Sequence, residues 1–384
     1  MQSNSSNVRI TKIMNILVLN YEYPPLGGGA APVSRDISEQ LAAADNKVTV
    51  VTMGFKTLPY HENSNGVDIY RLKCWRSKKS SCMPWEQFTY ILAAKKFLRK
   101  HLQESHYDIC HTHFIIPTGD VAKWVKDKYN IPVVITAHGS DVEGYNSKKY
   151  MRIMHVFLRP FWKDIVNHSY KIISPSKFLE KLMLKAYNRT DKYVVIPNGL
   201  DIPKYKALAN AGKKEKRILL MGRMQRSKNM QTALKAISMV NLGDWRVDIL
   251  GDGPYRETIE TLVDELKLRD KVTFYGWLEN GSKEQLDLLS KASIYITASE
   301  FENCPMAVIE TIAAGCYPLL SDIEAHRLLV PENEFYFDAY DIKQLSEKLQ
   351  TRLGMGEASY AYNLDRYDWP RVIKQYNEVF KNAI

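Results

Sequence analysis

The chain contains 384 residues, of which 45% are hydrophobic and 25% are charged, and its formal net charge is +10. This composition is typical of an ordinary soluble globular protein, and the length predicts about two domains. No apolar run approaches the roughly 20 residues that a membrane-spanning helix needs, which excludes an integral helical membrane protein. The positive charge calls for an anionic partner, such as a nucleic acid, an anionic membrane surface or a phosphorylated substrate.

Residues 1–13 are polar and contain no apolar segment typical of a signal peptide. The five cysteines are scattered along the chain and lack C-x-x-C spacing. We therefore expect reduced thiols in a cytoplasmic protein.

Short apolar runs alternate with amphipathic helical segments from end to end. Strands are predicted at residues 16–20, 47–52, 109–113, 133–138, 171–174 and 193–197, and then at 217–221, 246–251, 272–276, 293–297 and 317–320. Strands that are regularly separated by helices predict parallel sheets covered on both faces. Two such series predict an α/β protein with two doubly wound, Rossmann-like domains.

Residues 204–214 are polar, rich in lysine and without clear periodicity, so we interpret them as a linker. The predicted domains are therefore residues 14–203 and 204–363, with a helix at 364–384 to follow. Ligands of open α/β sheets bind beyond the carboxyl ends of the strands. We expect the binding site in the cleft where the two domains face each other.

Three glycines, Gly27, Gly28 and Gly29, follow the first predicted strand and precede a helix. Glycine allows the backbone to approach a ligand closely. A dinucleotide-binding fingerprint requires G-x-G-x-x-G, and Pro32 occupies the place of its third glycine. This pattern disfavours an oxidoreductase with a Rossmann cofactor site.

Histidines mark the ends of two strands in the first domain. His138 ends the strand at 133–138, which places it at the expected cleft as a substrate-positioning candidate; a structural role is the alternative. His111 and His113 alternate on one strand and share a face. Two histidines cannot complete a zinc site, and no third ligand is evident, so no metal is expected.

Two cations follow the first strand of the second domain. Arg223 comes directly after Gly222, and Lys228 begins the next predicted helix. Arginine binds phosphate bidentately and lysine supplies a compact charge, so the pair predicts a diphosphate clamp. A pair of solvated surface cations is the alternative.

Residues 299–310 read SEFENCPMAVIE and connect a strand to a helix that ends near Gly315. Pro305 suits the first helical turn and Gly315 the end of the helix. The backbone N–H groups at the start of such a helix favour an anion such as a diphosphate. Glu302 lies at the mouth of this site and Glu310 in the second turn, where the two carboxylates can reach hydroxyl groups at two ends of a sugar nucleotide. Two solvated glutamates are the alternative.

The E-x7-E pattern after a strand, followed by a helix that closes in A-x-G, resembles the retaining glycosyltransferases of family 4, which have the GT-B fold. The resemblance extends over nearly the whole chain and includes P-N-G-x-D at residues 197–201. This chain has Asn303-Cys304-Pro305 where the family more often has Gly-Phe-Gly.

The resemblance implies a role for each candidate residue. Glu310 would hold the nucleotide ribose, and Glu302 would lie near the donor sugar and its leaving phosphate. Arg223 and Lys228 would neutralise the diphosphate, and His138 would approach the donor sugar. The other implied substrate-binding residues are Gly28 and Gly29 beside the donor phosphate and acceptor, Trp277 near the nucleobase, and Asn303, Cys304, Pro305, Met306 and Ala307 at the helix start. The helix at 364–384 would pack on the first domain.

The implied activity is that of a metal-independent, retaining glycosyltransferase without a cofactor, in which the donor phosphate helps to deprotonate the acceptor. The nucleotide sugar, which we expect to be a UDP-sugar, would be a co-substrate, and the acceptor a glycan or a lipid-linked glycan in cell-surface polysaccharide or glycolipid assembly. Three alternatives remain: a non-catalytic subunit that binds sugar nucleotides and supports a partner transferase, an oxidoreductase, and a phosphorylase-type enzyme of the same fold.

Residues 71–90 and 147–163 mix basic residues with large apolar ones, a composition that suits an anionic bilayer surface. We therefore expect a peripheral enzyme on the cytoplasmic face of the membrane. The alternative is that the apolar residues fill the core and the cations are solvated. Nucleic acid is not expected as a partner, because no recognised nucleic-acid-binding motif is present.

Overall fold

The computed structural model describes residues 13–145, 149–211, 214–357 and 359–384. The chain forms two compact units. The first consists of the residues up to Ile196 together with Val372–Ile384, and the second of Pro197–Arg371. Within these described ranges, no helix has both the length and the apolar character that crossing a bilayer requires.

The strands of the first unit are β1 (Asn15–Leu19), β2 (Lys47–Met53), β3 (His61–Ser64), β4 (Val67–Leu72), β5 (Ile109–His113), β6 (Val133–Thr136), β7 (Lys171–Ser174) and β8 (Tyr193–Val195). Its helices are α1 (Ala30–Ala43), α2 (Pro84–Glu104), α3 (Thr118–Tyr129), α4 (Lys149–His168) and α5 (Lys177–Ala186). As far as the unit is described, these strands form one eight-stranded sheet in the order β3-β4-β2-β1-β5-β6-β7-β8. Its central strand β1 is almost wholly buried, as expected for a parallel strand with helices on both faces.

The edge of this sheet is a hairpin that the sequence analysis missed. β3 pairs antiparallel with β4, whereas β4 pairs parallel with β2. Asn65 and Gly66 connect the two strands, both with positive φ, at +50° and +80°. This is the geometry that an Asn-Gly hairpin turn requires. β3 was missed because its sequence, HENS, is polar and lacks the alternation of a half-buried strand.

The strands of the second unit are β9 (Glu215–Met221), β10 (Arg246–Leu250), β11 (Val272–Gly276), β12 (Ala292–Thr297), β13 (Tyr317–Ser321) and β14 (Tyr336–Phe337). Its helices are α6 (Ile202–Ala211), α7 (Met230–Ser238), α8 (Arg256–Glu265), α9 (Lys283–Lys291), α10 (Met306–Ala313), α11 (Glu324–Arg327) and α12 (Ile342–Gly354). Over its described residues, this unit has a parallel sheet in the order β11-β10-β9-β12-β13-β14.

Each face of the second sheet has its own core. On β9, Ile218 and Leu220 pack into one buried cluster and Leu219 into the other. Successive side chains of a strand point to opposite faces, so helices must cover both faces of this sheet. This is a doubly wound arrangement, as the alternation of strands and helices predicted.

The two units divide at Ile196–Pro197, earlier than the predicted boundary at residues 203 and 204. The segment interpreted as a linker is largely α6, which packs against α9 and α10; residues 212 and 213 lie outside the described ranges. Ile202 and Tyr205 are buried on one face of α6, with Leu208 partly buried beside them. The lysines on the other faces concealed this apolar stripe in the sequence.

The chain ends in α13 (Trp369–Ala383), which begins in the second unit and continues in the first. Its apolar stripe includes Tyr376 and Phe380, whose rings lie 5.6 and 5.2 Å from the His111 ring of β5. The segment at residues 364–384 thus starts with the second unit and contributes Val372 onward to the core of the first.

Candidate functional site

In the second unit, the loops after β9 and β10 come very close together. Gly222 has φ +148°, and its N–H donates to Leu250 O at 3.0 Å. A Cβ atom on Gly251, where φ is +135°, would lie only 2.0 Å from Gly222 O. Glycine is therefore required at this crossing. Arg223 follows directly and is exposed, and among the described residues it forms no ion pair.

Lys228 lies in a short 3₁₀ turn, Arg226–Lys228, and not in the helix that was predicted to begin there. Asn229 follows with φ +48°, and α7 begins at Met230. The turn points Lys228 at the loop before α10. Lys228 Nζ donates a hydrogen bond to Glu302 Oε1 and forms an ion pair with it.

The Lys228–Glu302 pair is mostly shielded from solvent, since the two side chains are 23% and 14% exposed. A backbone hydrogen bond from Glu300 N to Ser227 O, 2.9 Å long, connects the same two loops. Burial raises the pKa of the Glu302 carboxyl, but the charge and the hydrogen bond of Lys228 lower it by more, so that the pKa lies below its ordinary value. Glu302 is therefore an anion at neutral pH that keeps Lys228 in place.

Helix α10 begins at Met306, directly after Pro305, and no side chain caps its first turn. Pro305 O accepts hydrogen bonds from Val308 N and Ile309 N, at 3.0 and 3.2 Å. The positive end of the helix dipole thus lies within four residues of Glu302. The predicted helix is confirmed at both ends, since it stops at Ala313 and Gly315 follows with φ +84°.

Glu310 lies in the second turn of α10 and is only 4% exposed. Gln285 Nε2, on α9, donates to Glu310 Oε2 at 3.1 Å. Sequence reasoning did not identify Gln285. The available signal was its position three and four residues before Leu288 and Leu289, on the buried face of an amphipathic helix where a polar side chain needs a partner.

The other predicted residues of this unit surround the start of α10 or lie at a strand end. Pro305 is buried, and Asn303, Cys304, Met306 and Ala307 are partly buried. Burial raises the pKa of the Cys304 thiol to about 11, so Cys304 stays protonated at neutral pH. Trp277 follows β11 and is 71% exposed.

In the first unit, Gly28 and Gly29 lie in the connection from β1 to α1. Gly27 precedes them with φ +105°, and a Cβ atom there would lie 2.7 Å from Glu22 Cβ. Gly28 N donates to Glu22 Oε2 at 3.3 Å, and Arg76 Nη2 lies 3.6 Å from Glu22 Oε1. Arg76, which was expected on the basic surface, is instead 8% exposed and fixes this glycine loop through Glu22.

His138 follows β6 and forms a hydrogen bond to a second histidine, with its Nε2 2.9 Å from His113 Nδ1. Burial lowers the pKa of His138 to about 3, which keeps the imidazole neutral. Asp141 Oδ1 accepts from the backbone N–H groups of His138 and Gly139 at 3.0 and 2.9 Å. Asp141 was not predicted; its position three residues after His138 is the spacing of a side chain that caps its own turn.

The structure thus brings together Lys228, Glu302 and the start of α10, with Glu310 one turn further on, in the second unit. Arg223 and Trp277 belong to the same unit, whereas His138, Gly28 and Gly29 belong to the first. Over the ranges that the structure describes, no group of three or more His, Cys, Asp or Glu side chains is arranged to hold a metal ion.

Large apolar side chains are exposed on two helices of the first unit, a set that we call the aromatic surface. On and before α2 it includes Trp75, Trp85 and Phe88, which are 66%, 50% and 58% exposed. On α4 it includes Phe157 and Phe161, which are 76% and 66% exposed. These residues do not fill the core, whereas Tyr90 and Trp162 do.

The cations near the aromatic surface divide in a similar way. Lys73, Lys78 and Lys79 are exposed, but Arg71 and Arg76 are buried, in contrast to the expectation for residues 71–90. Residues 147 and 148 of the second basic segment lie outside the described ranges.

Two protein families match adjoining parts of the chain. Residues 27–204 match the family described as Glycosyltransferase Family 4, and residues 201–361 match Glycosyl transferases group 1. Together the matches extend from the glycine loop to residue 361 of the second unit.

Curated relatives include glycolipid and lipid-linked glycan enzymes. The alpha-monoglucosyldiacylglycerol synthase of Streptococcus pneumoniae is 23% identical, over 97% of this chain and 86% of the relative. The UDP-Gal:alpha-D-GlcNAc-diphosphoundecaprenol alpha-1,3-galactosyltransferase of Escherichia coli is 26% identical, over 62% of this chain and 63% of the relative.

Among solved structures, Anabaena HepE in complex with UDP and glucose superimposes with a TM-score of 0.73. The two are 15% identical, over 96% of this chain and 99% of that chain. At this identity the likeness concerns the fold, and it confirms the prediction of two doubly wound parallel-sheet domains.

Proposed function

Because the chain belongs to the family 4 glycosyltransferases and has their GT-B fold, we propose that it is a metal-independent, retaining enzyme that transfers a sugar from a UDP-sugar to a lipid-linked or other glycan acceptor. The observation that carries this proposal is the Lys228–Glu302 ion pair at the start of α10. Glu310 lies in the second turn of the same helix and accepts a hydrogen bond from Gln285 of α9.

The start of α10 suits the donor diphosphate. The positive end of its helix dipole attracts an anion, and the ammonium group of Lys228 lies beside it. Arg223 is exposed near the crossing of the two glycine loops and adds a second cation. These groups would supply the positive charge that a metal ion supplies in other transferases.

Glu310 suits the ribose of the donor. Its carboxylate is almost fully buried and is oriented by Gln285, which fits a side chain that accepts hydrogen bonds from ribose hydroxyl groups. Support for uracil as the base comes from the Anabaena structure with UDP and glucose and from the UDP-Gal named for the Escherichia coli relative.

In the proposed reaction, the bond between the anomeric carbon and the phosphate oxygen breaks, and its electron pair goes to the leaving UDP. Lys228, Arg223 and the α10 dipole stabilise the charge that develops there. The acceptor hydroxyl attacks from the same face and gives its proton to the leaving phosphate, so the anomeric configuration is retained. His138, which is neutral at pH 7, orients the donor sugar by hydrogen bonding.

A lipid-linked acceptor is supported by two observations. The names of the two relatives described above, which are among several that match, contain a lipid, diacylglycerol in one and diphosphoundecaprenol in the other. The aromatic surface, with Lys73, Lys78 and Lys79 close in sequence, suits an anionic bilayer. We place the enzyme at the cytoplasmic membrane face, in cell-surface polysaccharide or glycolipid assembly.

The proposal is tested by screening UDP-, GDP- and ADP-sugars in thermal melts. A UDP-sugar should raise the melting temperature, since ligand at about 100 Kd stabilises the fold by roughly 2.7 kcal/mol. The preferred donor is then incubated with membrane lipid extract and EDTA. A product with the donor's anomeric configuration by NMR supports the proposal, whereas loss of turnover in EDTA or an inverted product refutes it. If the protein binds the donor but neither transfers its sugar nor hydrolyses it, the non-catalytic subunit is favoured.

A further inference from the structure

A cavity of about 240 Å³ opens in the first unit, between α1 and the β3–β4 hairpin. It is lined by Tyr23 and two prolines from the loop after β1, by residues of α1, and by residues of the hairpin. None of the residues proposed to bind the donor lines it. Pro25, which lines the cavity, lies two residues before Gly27 of the glycine loop.

Two buried side chains of this cavity have hydrogen-bond donors without partners. Arg71 is 5% exposed, and its Nη2 donates to Pro24 O at 3.0 Å and contacts Glu62 Oε1 at 2.8 Å. Its Nε and Nη1 have no acceptor among the described residues. Tyr23 is 2% exposed, and its hydroxyl group likewise lacks a partner in the described part of the chain. Buried polar groups are normally hydrogen-bonded, so unpaired donors at a cavity indicate a ligand.

The formal charges of the side chains that line the cavity sum to zero. Arg35 and Arg71 carry two positive charges, and Glu39 and Glu62 carry two negative charges. Burial raises the pKa of the Tyr23 phenol, and the charges of Glu39, Arg35 and Arg71 act on it as well, so the phenol oxygen lies among these groups. A phosphate or carboxylate would meet the two glutamates, whereas a neutral ligand with hydroxyl groups can accept from Arg71 and Tyr23 and donate to the carboxylates.

The remaining walls are apolar. Tyr23, Pro24, Pro25 and Ile69 also line the cavity, and apolar groups suit the C–H faces of a sugar ring. The volume is below the roughly 300–1,000 Å³ of pockets for drug-sized ligands, so it suits one sugar ring better than a nucleotide.

We propose that this cavity is a saccharide subsite, in which Tyr23, Arg71 and Glu39 hold one neutral sugar ring of the acceptor glycan. The inference rests on the proposed function, since it assigns the acceptor side of that reaction. It identifies the acceptor as one that presents a sugar ring to the first unit, beside the glycine loop.

The decisive variant is Tyr23→Phe, which removes only the hydroxyl group that has no protein partner. Its melting temperature without sugar should equal that of the wild type. The matched control is Tyr60→Phe, which removes the same group from a tyrosine that is 58% exposed and does not line the cavity. Glu39→Gln is a second variant, which removes a carboxylate from the cavity wall.

Binding is measured by saturation-transfer NMR titration with methyl pyranosides of glucose, galactose, mannose and N-acetylglucosamine. At least one should bind the wild type and the Tyr60→Phe control equally. Tyr23→Phe should weaken this binding about fivefold, the effect of one neutral hydrogen bond. Glu39→Gln should weaken it in the same direction. The inference is overturned if no pyranoside binds, if Tyr23→Phe binds as tightly as Tyr60→Phe, or if inorganic phosphate binds instead and requires the Tyr23 hydroxyl.

A parallel UDP titration separates this inference from the proposed function. Pyranoside binding that depends on Tyr23, in a protein that does not bind UDP, would support the subsite and contradict the transferase mechanism. UDP binding with no response to any pyranoside would leave the donor site intact and overturn the subsite.

Discussion

The ion pair with Glu302 prepares Lys228 for a diphosphate. A lysine side chain loses considerable rotamer freedom when it is fixed, and here the folded protein has already met that entropic cost. Because Glu302 is anionic and mostly buried, it holds the lysine charge in a site of low solvent exposure. Charges in such sites act more strongly on a ligand than charges in water.

The first prediction concerns Lys228→Ala. We expect turnover to fall by about 100- to 1,000-fold, the usual cost of removing one group that stabilises developing charge. The free energy of unfolding should fall by only roughly 1–3 kcal/mol, the cost of leaving Glu302 without its partner. Steady-state rates and urea unfolding measure the two effects. The control is Lys235→Ala, an exposed lysine of α7. Turnover of Lys228→Ala within twofold of this control would exclude the clamp.

The second prediction concerns Glu310→Gln. The variant keeps an oxygen that can accept from Gln285, so the fold should be unaffected. Loss of the negative charge should raise KM for the UDP-sugar about tenfold or more, since hydrogen bonds to a charged group contribute roughly 1.5–3 kcal/mol. The sharpest measurement compares UDP-sugar with its 2′-deoxyribose analogue. The wild type should discriminate between them and the variant should not; equal discrimination by both proteins would remove Glu310 from the ribose site.

At the level of elements, strands β5 and β6 and helix α13 enclose a histidine cluster in the first unit. His111 is fully buried and contacts the rings of Tyr376 and Phe380. Its Nε2 lies 2.9 Å from Thr136 Oγ1, within hydrogen-bonding distance. Burial, and then the charge of His138, lower the pKa of His111 to about 3. Burial, and then the charges of His111 and His138, hold the pKa of His113 well below its ordinary value.

The third prediction follows from these pKa values. The ordinary histidine pKa is 6.5, so between about pH 6.5 and pH 3 the unfolded chain binds protons that the folded chain excludes. Stability is therefore complete above pH 6.5 and is lost as the pH falls. Each such histidine contributes up to about 1.4 kcal/mol per pH unit in this window. From pH 6.5 to 5.5, we expect the free energy of unfolding to fall by roughly 1–3 kcal/mol in urea titrations.

The variant for this prediction is His111→Gln, which removes one titrating group from the cluster. Its free energy of unfolding should therefore fall less on acidification than that of the wild type. The difference should be the contribution of one histidine, up to about 1.4 kcal/mol per pH unit. His106→Gln serves as the control, because the His106 side chain is 83% exposed. An acid response that is identical in both variants would show that other groups cause it.

Whether an element can be predicted from the sequence depends on its local pattern, namely the residues that mark its ends and the apolar residues between them. Helix α10 was predictable because Pro305 and Gly315 mark its ends and most of the residues between them are apolar. Helix α6 was not, because lysines alternate in sequence with the residues of its apolar stripe, and β3 was not, because an edge strand need not be apolar. In the candidate site, the glutamates and Lys228 followed from their spacing, but Gln285 and the buried position of Arg76 depend on tertiary packing that no local pattern encodes.

At the level of the whole molecule, the first unit exposes the aromatic surface, whose side chains do not contribute to its core. Monomeric proteins rarely leave large contiguous apolar areas exposed, and such areas often mark interaction sites. Helix α3 packs against both α2 and α4, so the two helices that bear this surface belong to one layer of the fold. Because the proposed acceptor is lipid-linked, we expect this layer to contact a bilayer.

The fourth prediction tests this surface with the double variant Phe157→Ser and Phe161→Ser. Burial of one phenylalanine contributes roughly 1.5–3 kcal/mol, so binding to phosphatidylglycerol vesicles should weaken at least tenfold. Wild-type binding should also weaken as salt is added, since the attraction to anionic lipid is screened. Vesicle co-sedimentation measures both. The control is Tyr340→Ser, an aromatic residue of the second unit that is 68% exposed. Absence of wild-type binding at low salt would refute the membrane assignment.

The central claim is that Lys228, held by Glu302 at the start of α10, binds the diphosphate of the donor. The most direct measurement is calorimetric titration of UDP and of uridine into the wild type and into Lys228→Ala. We predict that the wild type prefers UDP strongly and that the variant loses about tenfold or more of this preference, while its affinity for uridine is unchanged. An equal preference for UDP over uridine in both proteins would contradict the account.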